Sequence, residues 1–314
     1  MKAYVGVTDS DWWRFLAANP AVTEVNFWQP GGNRDFKTLQ RGEPFLFKTK
    51  WDDGNRLVGG GYFEGFVRLK LTEAWEIFGY GNGVYSLDEM RERVRKYRRE
   101  PILPGADPIV GCVLLNDVRI MPDELRLDAP SDFAKSIVQG KSYSLESEAG
   151  NPTVDLFVRN LAYASETSPD SSASVRAVDG PIFGEPRLVR SRLGQGGFKT
   201  LVREAYGKRC AITGHKIVPT LQAAHIVPVS KNGENRVDNG ILLRSDVHTM
   251  FDQGYLGVAP DLSLHVSPRL RSEFGNGDEF YSRQGRPIAI PRERVDRPNR
   301  EFLEWHMDTV FKAS

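Results

Sequence analysis

The segment from Leu221 to Asp252 contains two of the five histidines of the chain, His225 and His248, with Asn239 between them. Hydrolysis of a phosphodiester needs a base that activates water, a cation that neutralises charge on the phosphate, and a group that orients the base. An imidazole suits the base because it titrates near neutral pH, and a second imidazole can hold a divalent cation. An amide oxygen can accept the N–H of the base and fix its tautomer. The segment therefore holds the residue types of a metal-dependent hydrolytic site, and the alternative at this point is a loop-rich piece of core that contains histidines.

The elements that must position these residues are short. "GQGGFKTLVREAYGKRC" predicts a helix that is entered from a glycine-rich turn and has Phe198, Leu201 and Val202 on one face. A hairpin is expected within residues 210–228, followed by the polar loop "SKNGENRVDNG" and by a helix near "LLRSDVHTMFDQG" that Gly254 ends. His225 would then lie on a strand, Asn239 at the end of a loop, and His248 on a helix.

This succession of "CAITG", "AAHIVP", "NGILL" and "VHTMFD" resembles the HNH endonuclease motif of the ββα-metal fold, in the subgroup whose first histidine lies in "AHI". The resemblance covers about residues 192–258. It implies a nuclease in which His225 is the general base, Asn239 orients it, and His248 is a metal ligand. The expected cation is Mg²⁺ or Mn²⁺.

The sequence departs from the family pattern at two places. Many members carry an acidic metal ligand immediately before the first histidine, but this chain has Ala224 there. Asp246 and Asp252 are then the candidates for a further ligand beside His248. Many members also carry a zinc knuckle of four cysteines, whose positions are here Cys210, Thr213, Arg244 and Val247. Three of these cannot supply a thiolate, so we expect no structural zinc.

Charge is distributed unevenly along the chain. From Arg187 onward there are 20 Lys and Arg against 14 Asp and Glu, although the net charge of the whole chain is +1. Basic side chains can neutralise the phosphates of double-stranded DNA, the expected substrate, without reading its sequence. The predicted backbone contacts are Arg192, Lys199, Arg203, Lys208, Arg209 and Arg244.

The fold class predicted for the chain is α+β, with three segments: a first domain over 1–160, a linker over 161–186 and a nuclease domain over 187–314. In the first domain, Gly- and Pro-broken strands alternate with short helices, one of which begins with a capping box of Ser86 and Glu89. This layout predicts a curved sheet or barrel and is similar to the PUA-like superfamily, which includes EVE, ASCH and SRA domains.

The PUA-like resemblance implies a reader of modified bases fused to a nuclease, as in modification-dependent restriction endonucleases. Aromatic side chains around a cavity can stack on a base flipped out of the duplex, here a modified cytosine. The candidates for this pocket are Trp28, Phe36, Trp51 and Tyr62.

Composition limits the remaining choices. The beginning of the chain does not resemble a signal peptide, and no apolar run approaches the length of a membrane span. Two widely separated cysteines predict a reducing, cytoplasmic setting without a disulfide framework. A homodimer would allow both strands of a duplex to be cut. Two alternatives stay open: a restriction or homing nuclease that reads unmodified DNA, and a nucleic-acid-binding module with an inactive HNH fold.

Overall fold

The computed structural model describes residues 1–32, 35–98, 100–103, 105–145, 150–166 and 194–313. The chain divides into two compact units, Met1–Ser191 and Arg192–Ser314. Both combine helices with sheets, and the α+β class expected from the sequence is confirmed. In the described ranges, no helix has both the length and the apolar character that crossing a membrane requires.

The first unit is built on a mixed sheet. Its strands are β1 (Lys2–Val7), β2 (Val25–Gln29), β3 (Pro44–Lys48), β4 (Arg56–Lys70), β5 (Ile109–Ile120), β6 (Leu127–Asp128) and β7 (Gly140–Ser144). The order is β2-β5-β4-β3-β1-β7, with β6 paired to β4, and β1 runs parallel to β3 whereas the other pairs are antiparallel. The hydrogen-bonded path ends at β2 and β7, so the described strands form an open sheet rather than a closed barrel.

Helices cover this sheet. They are α1 (Ser10–Ala18), α2 (Leu71–Phe78), α3 (Leu87–Tyr97) and α4 (Pro152–Glu166). The expected capping box is present at α3, where the Ser86 hydroxyl accepts a hydrogen bond from Glu89 N at 3.1 Å. The pairing of β4 with β5 shifts register twice, between Gly60 and Tyr62 and between Phe63 and Gly65. On the other side of β4, a Cβ at Gly60 would lie 2.8 Å from Phe45 O of β3, so the two backbones are too close there for a side chain.

The linker prediction requires a correction at its beginning. It placed the linker from residue 161, but α4 continues to Glu166. Phe157 and Leu161 of this helix are fully buried in the core against Leu46 and Leu57 of the sheet. The apolar side chains of α4 therefore extend the first unit beyond residue 160, and the rest of the predicted linker, 167–186, lies outside the described residues.

The second unit contains the segment with the two histidines. Its helices are α5 (Gln195–Ala205), α6 (Ser245–Asp252), α7 (Arg269–Phe274), α8 (Asp278–Tyr281) and α9 (Arg300–Thr309). Its strands are β8 (Leu221–His225), β9 (Gly240–Arg244), β10 (Leu256–Val258) and β11 (Leu264–Val266). The hairpin expected within 210–228 was wrong, because β8 pairs antiparallel with β9 across the loop 226–239. Together with α6 they form a ββα unit.

Helix α5 packs closely on this ββα unit. Phe198 and Val202 are fully buried, as the face predicted from the sequence requires. A Cβ at Gly240 would lie 2.5 Å from Val202 Cγ2 and 2.9 Å from Phe198 Cε2. Gly240 therefore allows α5 to approach the first residue of β9 and brings the Phe198 ring to the end of β8.

His306 of α9 is a core residue of this unit and gives it acid sensitivity. Its ring stacks on Phe251 with centroids 3.8 Å apart, its Nε2–H donates to Phe251 O, and burial lowers its pKa to about 4. The unfolded chain, with an ordinary imidazole pKa near 6.5, binds more protons between these values, so stability falls as pH decreases from 6.5 to 4.

We expect this residue alone to reduce the free energy of unfolding by about 3 kcal/mol over that range. The measurement is urea unfolding of the full chain at pH 7, 5.5 and 4.5, compared with His306→Gln, whose side chain keeps an N–H donor but does not titrate. The variant should show a smaller loss of stability on acidification, and parallel curves for the two proteins would contradict the prediction.

Candidate active site

His225, at the end of β8, has the environment of a general base. Its half-buried ring stacks on Phe198, with centroids 4.0 Å apart and planes 15° apart. Its Nε2 lies 2.8 Å from Asn235 Oδ1. An amide oxygen only accepts hydrogen bonds, so Nε2 carries the proton and Nδ1 keeps its lone pair. Burial lowers the pKa of His225, although the bond to Asn235 partly opposes this, and the ring is neutral at pH 7.

His248 contacts an amide through its other ring nitrogen. Its Nδ1 lies 2.8 Å from Gln222 Oε1, so Nδ1 donates to that oxygen and Nε2 is the nitrogen left to face a cation. That Nε2 lies 3.3 Å from Asp252 Oδ2, one helical turn further along α6. Two electron-pair donors at this distance repel each other unless a cation or a proton lies between them.

The pair formed by His248 and Asp252 fits a divalent metal ion. An imidazole nitrogen and a carboxylate oxygen are suitable ligands for such ions, and water and phosphate oxygens can complete the shell. Burial raises the pKa of Asp252, while positive charge on His248 or His225 lowers it. Among the described residues, no group of three or more His, Cys, Asp and Glu side chains is placed to hold a metal. The ion would accordingly have few protein ligands.

The other positions considered for this role lie elsewhere. Asp246 accepts two hydrogen bonds from Arg244, at 2.7 and 2.8 Å, and this pairing lowers its pKa. Ala224 is completely buried and contributes only packing. Of the two acidic residues proposed as ligands beside His248, the structure brings only Asp252 to the imidazole.

Asn239 lies in the same unit but does not contact His225 through its side chain. It is fully buried; its Oδ1 accepts from Val227 N, and its Nδ2 donates to Val227 O and Glu234 O, all at 2.9 Å. The contact that the sequence-based interpretation assigned to Asn239 is made by Asn235. Asn239 instead joins both ends of the loop between β8 and β9.

Comparison with known proteins identifies this ββα unit. Residues 210–259 match the family model described as HNH endonuclease. This stretch is an HNH endonuclease domain. The prediction of an HNH nuclease domain is therefore confirmed. No curated protein shows significant similarity to the chain.

Several solved structures are similar to parts of the chain. The modification-dependent TagI restriction endonuclease is 19% identical, over 36% of this chain and 37% of that one, with a TM-score of 0.26. An ASCH protein from Zymomonas mobilis is 16% identical, over 39% of this chain and 76% of that one, with a TM-score of 0.25. A variant of that ASCH protein is 12% identical, over 52% and 98%, with a TM-score of 0.30. The chain spans little more than a third of the TagI enzyme, and likenesses this weak do not define a fold.

The basic residues predicted to contact DNA differ in their surroundings within the HNH domain and α5. Lys199 is exposed and close enough to lower the pKa of His225 by its charge. Lys208 pairs with Glu204, and Arg244 pairs with Asp246 and Glu279. Arg209 is exposed, Arg203 is half-buried, and Arg192 lies outside the described residues. Lys199 is thus the predicted contact whose charge acts on His225.

The four positions of the zinc knuckle hold other groups in this HNH domain. Cys210 is a buried free thiol that accepts a hydrogen bond from Thr213 N at 3.4 Å. Val247 is buried, and Arg244 forms the ion pairs described above. The absence of structural zinc remains a prediction, supported here by the chemistry of these side chains.

The aromatic residues predicted to form a base pocket do not share one surface. Phe36 and Tyr62 are core residues, and Phe36 packs edge-on against Tyr4 at 5.0 Å. Trp28 is half-buried and donates its indole N–H to Asn82 O. Trp51 is different, since 51% of it is exposed. The burial of Phe36 and Tyr62 argues against their place in the pocket, since large aromatic side chains most often fill a core.

Three residues of the HNH site were missed from the sequence. Asn235 is one of several asparagines in a polar loop, and nothing in its spacing distinguishes it. Gln222 lies two residues before Ala224 on the same strand, and this period of two could have indicated it. Phe198 was expected on the buried face of its helix, but its contact with His225 could not be inferred from the periodicity of that helix.

Proposed function

We propose that the chain is a metal-dependent DNA endonuclease. The observation that supports this most directly is how the two histidines are held: Asn235 engages Nε2 of His225 and leaves Nδ1 as an acceptor, while Gln222 engages Nδ1 of His248 and leaves Nε2 beside Asp252. One imidazole is thereby equipped to accept a proton and the other to bind a cation. The family match places both in an HNH domain.

The reaction follows from these groups. His225 Nδ1 accepts a proton from a water molecule, whose oxygen attacks phosphorus, and the P–O bond to the leaving oxygen breaks. Mg²⁺ or Mn²⁺ held by His248 and Asp252 would neutralise charge on the phosphate and on the leaving group. Lys199 lies where its ammonium can hold a DNA phosphate beside the base. One site hydrolyses one bond at a time, so we propose that two copies of the chain cut a duplex.

We further propose that the first unit reads a modified cytosine. Exposed Trp51 supplies a ring on which a flipped base can stack. The preceding residue, Lys50, donates to Asp9 at 2.9 Å, and Tyr97 donates to the same carboxylate. The pKa of Asp9 is lowered to about 2, mainly by these hydrogen bonds acting against burial. Asp9 is therefore anionic at neutral pH and can accept a hydrogen bond from the exocyclic amine of cytosine.

Matched plasmids carrying cytosine, methylcytosine or hydroxymethylcytosine test this reader. With Mg²⁺ or Mn²⁺ present, we expect preferential cutting of one modified form, no cutting with EDTA, and loss of the preference in Trp51→Ala. Tyr163→Ala, which removes an exposed aromatic from α4, is the matched control and should keep the preference.

The outcomes separate the alternatives. Equal cutting of all three plasmids would reject the modified-base reader and favour a nuclease that reads unmodified DNA. Binding without cutting under any divalent ion would favour an inactive HNH module, for which Ala224 in place of an acidic ligand is the motivating observation.

A further inference from the structure

One side chain that contacts His225 is not among the three catalytic residues predicted from the sequence, His225, Asn239 and His248. Asn235 Oδ1 lies 2.8 Å from His225 Nε2. The ring of Phe198 also contacts His225 and stacks on the imidazole, with the two ring centroids 4.0 Å apart. Stacking restricts the tilt of the imidazole but does not select a tautomer, because an aromatic face treats both ring nitrogens alike. Tautomer selection therefore depends on the hydrogen bond.

We propose that Asn235 is a positioning residue that holds His225 with Nε2 protonated and Nδ1 free to accept a proton. This inference rests on the proposed function, in which His225 is the base. Rotation of the imidazole or exchange of its tautomer would remove the lone pair from the place where water is activated. The amide oxygen prevents both by accepting the N–H on the far side of the ring.

The backbone around Asn235 is fixed on both sides. Asn239 Nδ2 holds the carbonyl of the preceding residue, Glu234, and Asn239 N donates to the carbonyl of the following residue, Arg236, at 3.0 Å. At Gly233, a Cβ would lie 1.8 Å from Val227 O, so the loop folds back directly onto the backbone that follows β8. Asn239 thus acts on His225 indirectly, because its hydrogen bonds hold the part of the loop that carries Asn235.

A neutral amide suits this position better than a carboxylate. An anionic partner would stabilise the imidazolium and keep the base protonated at neutral pH. The charges that already face His225 come from His248 and Asp252 of α6 and from Lys199 of α5, and only Asp252 favours the imidazolium. Asn235 fixes the tautomer without adding negative charge to this set.

The test uses the full chain and the variants Asn235→Ala and Asn235→Asp, with Ser230→Ala in the exposed part of the same loop as the control. For Asn235→Ala we expect kcat to fall about 10- to 100-fold with little change in KM, and the nitrogen-15 spectrum of metal-free protein to show a mixture of His225 tautomers. Asn235→Asp should restore the Nε2–H tautomer and move the acidic limb of the kcat profile to higher pH.

A single Nε2–H tautomer with unchanged kcat in Asn235→Ala would overturn the proposal. A fall in kcat without a change in tautomer or pH profile would also overturn it, since that pattern indicates only structural damage. Circular dichroism of each variant identifies misfolding, and the aspartate variant preserves the test if alanine does not fold. The tautomer is measured without DNA, so its result stands apart from whether His225 proves to be the base.

Discussion

His225→Ala is expected to reduce the cleavage rate by about 10²- to 10⁴-fold, the usual contribution of a general base, and to leave DNA binding intact. The imidazole is the neutral acceptor held between Phe198 and Asn235, and no other described histidine has this arrangement. The measurement combines single-turnover cleavage of plasmid DNA with binding of the same DNA in the presence of Ca²⁺.

The pH dependence of this reaction has a defined sign. Because the base acts in its unprotonated form, the rate should rise with pH and level off above the pKa of His225. Burial lowers that pKa, so the acidic limb should lie below the ordinary imidazole range. His215→Ala, in the same unit but without a hydrogen bond from its ring in the described structure, is the control and should retain activity. Equal activity of wild type and His225→Ala would refute the assignment of the base.

His248→Ala is expected to decrease cleavage by roughly 100-fold or more at fixed metal concentration, because it removes one of the two proposed protein ligands and with it several kcal/mol of charge stabilisation. Asp252→Asn should weaken the site in the same direction. Calorimetric titration of Mn²⁺ into each protein measures the binding step without DNA, and higher metal concentrations should partly restore cleavage.

Asp246→Asn provides the matched control for the metal prediction. Asp246 lies on the same helix but is engaged by Arg244 rather than by an imidazole. Mn²⁺ binding should therefore be unchanged in this variant. Loss of binding in Asp246→Asn, with binding retained in Asp252→Asn, would show that the ligand set has been assigned to the wrong carboxylate.

The frame of the active site could be predicted from the sequence because it depends on spacing. The positions of His225 and His248 follow from a strand, a loop and a helix of ordinary length, and the family match covers both. The helix face of α5 was likewise predictable, since burial follows the helical period. These features belong to single helices, strands and loops, which can be predicted from the residues within them.

The hydrogen bonds within this frame could not be predicted in the same way. Asn235 and Asn239 are both asparagines of one polar loop, and only the path of the backbone determines which amide reaches the base. The pocket assignment failed for a similar reason, because Phe36 and Tyr62 look alike in sequence whether they face a cavity or the core. Of the four candidates, Trp51 is the exposed one, and it is followed in the sequence by polar residues and a glycine.

The hydrogen bonds of the Asn239 side chain also affect how readily this residue deamidates. Asparagine followed by glycine is the pair in which the next backbone nitrogen most readily attacks the side-chain carbonyl, which converts the amide to a cyclic imide and then to an acid. Here three hydrogen bonds hold the Asn239 amide in the interior, and Gly240 is extended and paired opposite His225 in the β8–β9 ladder. The contacts that shape the loop between β8 and β9 therefore also protect Asn239 from slow deamidation, whereas Asn232, which precedes Gly233 in the same loop, is exposed.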